Sequence, residues 1–385
     1  MNNVKIISSY CSEAIVYYLM KNVLQNINVT NLSIADSIVG GEGMFVFMNH
    51  GALKDSDVQG ISEQKFVKGE VKRIYFPPST LNLEFITIKN SCTGQNTIFV
   101  LKLPNINLNN ISLSDIQDCG VEHIKHLIIL FKVNCSDWYL ANINTEYEVP
   151  DLSCNEMISI FNSGNANLTN IFISNIFCEQ ESAALGILFQ KITGIAILNN
   201  INITNLSGST YSGIAFAAKK TETLLLTNIS FYNVSNIYGS ITQFDDCKSV
   251  IIDSLKLNLA SSPSSGLFKV FNVSSFILKN FNFRKTSSQF NNGGGLNLLS
   301  GPLGSTYIIK SGSFIECSAY VGKGGAIYLD SISALSETLI QIENVDIDKC
   351  EALEGSAIYI SRNVNFNKEV ISSLNNLRIS NNTCE

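Results

Sequence analysis

Gly324-Gly325-Ala326-Ile327-Tyr328 is a flexible glycine pair followed by a short apolar run, and the same phrase returns as Gly355-Ser356-Ala357-Ile358-Tyr359. Working backward, the anchors are Gly295, Gly266, Gly239, Gly213 and Gly186, with steps of 30, 30, 29, 27, 26 and 27 residues from Gly355 down. Earlier copies lose the glycine but keep the strand, at Glu156, His126, Thr97, Glu70, Gly43 and Glu13, which makes thirteen copies in all. A sustained period of this length signals a stacked-repeat architecture.

A second file lies inside each period, where an Asn or small residue separates two apolar runs: Asn110, Asn170, Asn200, Asn228, Ser254, Asn280, Asn344 and Asn376. Asn tolerates the left-handed backbone that a sharp bend demands, and its amide can bond the Asn one layer away. Within 325–354 the expected elements are a strand from Ala326 to Leu329, a polar loop, a strand from Leu339 to Ile342, a bend at Glu343-Asn344 and a strand from Val345 to Ile347. Lys349 to Glu354 then returns the chain to the next glycine.

Three short strands per period, alternating in polarity and lacking a 3.6-residue periodicity, predict an all-β, right-handed, single-stranded parallel β-helix of about 12–13 coils, each of roughly 26–30 residues. A leucine-rich repeat is shorter and has a fixed Leu frame that this chain lacks, a propeller blade needs four strands, and a sandwich keeps no single period. One coil cannot bury its inward side chains, whereas stacking at roughly 4.8 Å per coil builds a continuous apolar column and a rod about 55–60 Å long. Residues 1–385 are therefore expected to form a single elongated domain. With no capping element at either end, it reads as a segment of a longer array.

Hydrophobic residues make up 45% of the chain and charged residues 15%, enough for an ample core. A net charge of −6, with no basic cluster longer than Lys219-Lys220, argues against nucleic-acid binding. The apolar runs Ala14–Met20 and Leu127–Phe131 are bracketed by charges and too short for membrane insertion, and the first residues lack the zones of a signal peptide.

There are ten cysteines. Cys92, Cys119, Cys178, Cys317, Cys350 and Cys384 occupy the same loop of their respective periods, so Cys92 with Cys119, Cys317 with Cys350, and Cys350 with Cys384 are allowed disulfides. Buried reduced thiols are the alternative. Eleven N-x-Ser/Thr sequons, at Asn28, Asn31, Asn110, Asn134, Asn167, Asn202, Asn205, Asn228, Asn233, Asn272 and Asn381, lean toward a secreted surface; at Asn110 and Asn228 the bend alone explains the Asn.

A polysaccharide-cleaving rod needs clustered carboxylates on one face. The weak candidates are Asp245 and Asp246, in Gln243-Phe244-Asp245-Asp246-Cys247, which resembles the Asp-Asp-Cys motif of polygalacturonases but lacks that family's Asn-Thr-Asp, Gly-His-Gly and Arg-Ile-Lys companions. Asp245 and Asp246 fall one coil from Lys219 and Lys220, so solvated cross-coil ion pairing is the plainer expectation. His123 and His126 have no matched metal-ligand spacing, Trp138 reads as a turn anchor, and Gly293-Gly294-Gly295 reads as a wide turn rather than a phosphate loop. The expected set of catalytic, cofactor and metal sites is empty.

Phe314-Ile315-Glu316-Cys317 followed by Gly324-Gly325-Ala326-Ile327 resembles the repeat of the polymorphic outer-membrane proteins, with Cys317 where that family has Asn. The Asn-rich, Cys-bearing periods also resemble the pectin-lyase-like regions of large ciliate surface proteins. These resemblances imply an extracellular or surface-displayed stalk, its membrane anchor lying elsewhere in the parent protein. The reading is a non-catalytic structural or adhesive role with glycans or other surface proteins as partners; the alternative is a carbohydrate-active enzyme or a glycan-binding rod of the pectin-lyase-like fold.

Overall fold

A computed structural model describes residues 2–7, 10–11, 16–20, 27–35, 38–39, 43–49, 80–93, 96–101, 105–118, 157–177, 186–208, 213–263, 266–331, 337–361 and 370–384. The described chain is a parallel β-solenoid built on two sheets. Eleven short strands form one sheet; from Ile158–Phe161 through Ile187–Gln190, Phe216–Lys219, Thr242–Asp245, Phe268–Phe271, Leu296–Leu299 and Ile327–Asp330 to Ile358–Ser361, eight of them follow one another coil by coil. The long strands, such as Asn165–Phe177, Ile195–Gly208, Thr223–Asn236, Ser249–Ser262 and Ser275–Ser288, build the other sheet. Every pairing between described neighbouring strands is parallel, for example Ile201 with Ile229 and Ile229 with Leu255, and the register shifts between Ala319 and Lys323 where Thr306–Lys323 meets Glu351–Glu354.

Long strands turn corners because single residues adopt the left-handed conformation. All eight residues of the expected bend file have positive φ, from 50° at Asn376 to 65° at Ser254. A second file lies five residues further on, at Asp115, Asn175, Asn205, Asn233, Leu259, Lys285, Glu316, Lys349 and Asn381. A third follows the short strands, at Asn162, Lys191, Lys220, Asp246 and Asn272. One coil is thus a short strand plus a long strand bent twice, not three separate short strands. In the period 325–354 the observed elements are Ile327–Asp330, Thr338–Asp348 bent at Asn344, a further bend at Lys349 and an extra strand, Glu351–Glu354.

Two of the thirteen expected copies, those at Glu70 and His126, lie outside the described residues. Among the described strands Phe45 pairs directly with Ile98, and Ile98 with Ile158. Across these intervals register partners lie 54 residues apart, at Asn28 and Asn82, and 60 apart, at Asn105 and Asn165. The expected bend file likewise has no member between Asn110 and Asn170. Residues 50–79 and 119–156 lie outside the described residues, as do His123, His126, Trp138, Cys119 and Cys178.

The glycine file stands at the start of the short strands, but not in exact register. Gly186 and Gly295 lie one residue ahead of the aligned positions Ile187 and Leu296, while Gly213, Gly239 and Gly355 lie three ahead of Phe216, Thr242 and Ile358. Close approach explains these glycines, as at Gly295, where a Cβ would sit 2.6 Å from the Ala326 carbonyl oxygen.

The column inside is apolar along its whole described length, from Ile34 through Ile111, Ile201 and Leu255 to Ile347. Its middle carries an aromatic stack in which Phe189, Phe216, Phe244 and Phe268 succeed one another with ring centroids 5.6 Å apart. Phe283 and Phe314 continue it at 5.1 Å. Offset and edge contacts of this kind add about 0.5–1.5 kcal/mol per pair beyond burial.

Candidate functional site

Asp245 closes the short strand Thr242–Asp245 opposite Lys219, as the period requires, and Asp246 and Lys220 are the corresponding left-handed residues of the third bend file. The expected ion pairs do not form: neither lysine comes within 4.0 Å of either carboxylate, and both lysines project into solvent. Instead, Asn272 donates its Nδ2–H to Asp246 Oδ1 at 2.7 Å, and Gln243 donates to Asp245 Oδ2 at 2.5 Å. The lysines are long enough to reach water, so hydration wins over an exposed pair that stabilises by only about 0–1 kcal/mol. The cross-coil ion pairs of the described chain are Lys248–Glu222, Lys285–Glu316, Lys310–Glu343 and Lys323–Glu354.

Beside the carboxylates, the Cys247 thiol is buried and pushed up to about 12 by desolvation, which makes it a poor nucleophile. Asp245 Oδ1 is a buried oxygen without a hydrogen-bond partner. Nothing else among the described residues of this neighbourhood places an acid and a base around a shared space.

The outer face of the short-strand sheet carries a second group. Tyr328 and Tyr359 stack with centroids 5.7 Å apart and an interplanar angle of 11°. Lys323 Nζ sits 4.6 Å above the Tyr359 ring, donates to its hydroxyl at 3.1 Å and pairs with Glu354 at 2.9 Å. Tyr328 donates to Asp330 Oδ2 at 3.3 Å; burial first, and the Asp330 charge second, push its phenol up to about 12. These are the tyrosines of the two quoted phrases, so the repeat supplies both the strand and its outer aromatic file.

Cys317 and Cys350 are buried neighbours, their thiols donating to the carbonyls of Phe283 and Phe314, one coil before each, at 3.8 and 3.7 Å. Both are free thiols, and burial pushes the Cys317 thiol up. The Cys350–Cys384 alternative fails on register, because Cys384 stands opposite Ala352. Hydrogen bonding from the Ser356 side chain first, and from its backbone N–H at 3.4 Å second, holds the exposed Cys384 thiol below the usual range.

The sequons acquire a structural reason. Asn31, Asn110, Asn205, Asn228, Asn233, Asn272 and Asn381 all have positive φ. After a bend, the next side chain points into the core and the one after it points out. Bend Asn, buried apolar residue and outward Ser therefore spell N-x-Ser, as in Asn31-Leu32-Ser33, Asn205-Leu206-Ser207 and Asn233-Val234-Ser235. Several of these amides are already engaged: Asn205 donates to Asn175, and Asn233 to Asn205, both at 2.9 Å.

Among the described residues no group of three or more His, Cys, Asp or Glu could hold a metal ion, and no helix is long and apolar enough to cross a membrane. No family model, no curated protein and no solved structure matches this chain.

Proposed function

We propose that this β-solenoid is a non-catalytic, extracellular or surface-displayed rod with a structural or adhesive role, and that its pectin-lyase-like and outer-membrane-repeat resemblance reflects that role. The observation that carries the reading is the placement of Asp246. It occupies a bend position that Asn162, Lys191, Lys220 and Asn272 fill in other coils with the same backbone, and its carboxylate accepts a bond from Asn272 one coil away, so a structural contact accounts for it. Glycans and other surface proteins are the partners that such a rod would meet.

The test pairs localisation with chemistry. Antibody staining of intact cells is expected to label the surface, and the purified chain is expected to leave pectin and alginate uncleaved. Strictly intracellular staining contradicts display. Cleavage that disappears in Asp245→Ala and Asp246→Ala overturns the non-catalytic reading.

A further inference from the structure

One facet of the long-strand sheet changes character part-way along the rod. A single outward register position is held by Asn107 and Asn167 in earlier coils and by Gln341 in a later one. Between them it is held by Ile197, Leu225, Ile251, Ile277 and Ile308, in five successive coils. Alternate residues of these strands enter the core, as Leu224 and Leu226 do on either side of Leu225, so the stripe faces outward. Ile197 is 39% exposed, and the other four are half-buried along the stripe. Contact between neighbouring strands favours Ile on any sheet face, yet the same face carries Asn before the stripe and Gln after it.

Two further outward files border the stripe. On one side lie the hydroxyls of Thr223, Ser249, Ser275 and Thr306, with Ile195 and Leu339 at the two ends. On the other run Asn199, Thr227, Asp253, Lys279, Lys310 and Glu343. In this last file Lys310 and Glu343 pair at 3.0 Å. Asp253 and Lys279 are likewise opposite charges in register on neighbouring coils, but they are not among the ion pairs of the described chain. Asp253 accepts at Oδ1 from Asn280 at 2.8 Å and from Ser254 at 3.1 Å, and Lys279 is exposed.

We propose that this facet binds a second copy of the chain, face to face, about a two-fold axis that runs parallel to the strands midway between Ile251 and Ile277. That axis sets the two rods antiparallel and lays each file on itself in reverse order, as an isologous contact requires. Ile251 then meets Ile277 of the other copy, Leu225 meets Ile308, and Ile195 meets Leu339 at the ends. The Ser and Thr file meets itself. Asp253 of each copy faces Lys279 of the other, which closes the pair that stays open within one chain. Moving the axis by half a coil in either direction would set Asp253 against Asp253 or Lys279 against Lys279, so the charges fix the register. An axis along the rod would instead set both charges against Ser249 and Ser275, with no opposite charge to meet. Six coils at about 4.8 Å, by a five-residue strand of about 17 Å, cover about 500 Å² per copy and about 1,000 Å² in all, the size of a weak, reversible contact.

The dimer goes beyond the displayed-rod reading and stands or falls without it. Sedimentation equilibrium of the full chain is expected to show a monomer–dimer equilibrium with a micromolar dissociation constant. Ile251→Asn with Ile277→Asn gives the stripe the residue that Asn107 and Asn167 already carry at that position, and is expected to leave only monomer with unchanged far-ultraviolet circular dichroism. Asp253→Lys and Lys279→Asp are each expected to weaken self-association about tenfold or more, because like charges then face one another. An equimolar mixture of those two variants is expected to dimerise as the wild type does, since every facing charge is then opposite. Mixing would not repair a folding defect in either variant, so recovery isolates the contact. A wild-type monomer throughout the micromolar range, a dimer that survives in Ile251→Asn with Ile277→Asn, or assembly that continues past two copies overturns the proposal. So does a mixture that dimerises no better than either charge variant alone.

Discussion

Residues 165–236 and residues 249–319 wind the same backbone but hold it differently. In the first stretch both bends of each long strand are Asn, at 170 and 175, 200 and 205, 228 and 233, and amides bond from coil to coil at 2.7 Å for Asn200 to Asn170 and 2.9 Å for Asn205 to Asn175. In the second, the bends fall to Ser254 and Leu259, Asn280 and Lys285, Ser311 and Glu316, and most of the ladder is gone. Inside, the second stretch holds more rings, Phe268, Phe276, Phe281, Phe283 and Phe314, against Phe189, Phe216 and Phe231 in the first. The stretch with fewer bend Asn residues is the one with more large rings in its core.

The largest break in this comparison comes from the aromatic side. Phe244 is fully buried and touches Phe216, Phe268 and Phe276, so Phe244→Ala is expected to cost about 3–5 kcal/mol, read as a lowered denaturant midpoint. An unchanged midpoint would mean that the stack is ornamental. Next comes the amide side: Asn200→Ala keeps the left-handed bend but removes its tolerant residue and its bond to Asn170, and is expected to cost about 1–2 kcal/mol.

The converse substitution sharpens the same point. Leu259 has φ 55° and is 40% exposed, so Leu259→Asn is expected to stabilise by about 1 kcal/mol, detected as a raised melting temperature. A drop would show that the second bend file tolerates Leu for packing reasons. Smallest in energy is a chemical contrast: iodoacetamide on the native chain is expected to label exposed Cys384 first and to spare Cys247, Cys317 and Cys350, as peptide mass mapping would show.

The first bend file is legible in the sequence because a polar Asn that interrupts two apolar runs marks a place where the backbone must turn, and all eight members of that file are bent. The second and third files are hidden in part by their occupants, since Leu259, Lys285, Glu316 and Lys349 in the second and Lys191 and Lys220 in the third have no propensity for positive φ, and the pairing of the surrounding coils imposes it. Register puts Asp245 and Asp246 on the right strand and bend, but it does not encode their contacts, because side-chain reach to water is independent of register. Phe85, with φ 56° in the first file, is illegible on the same grounds as Leu259, because a Phe gives no cue to a left-handed backbone.

The outward file Asn202, Ser230, Lys256, Asn282, Ser313, Asp346 and Arg378 marks successive coils at one register position. Spin labels at Asn202 and, in turn, Asn282, Ser313, Asp346 and Arg378 measure whether the coils stack in equal layers. Electron–electron distances are expected to grow by about 4.8 Å per coil, reaching about 29 Å at Arg378. Distances that level off, or that rise unevenly from coil to coil, would contradict the solenoid on which every other statement here depends.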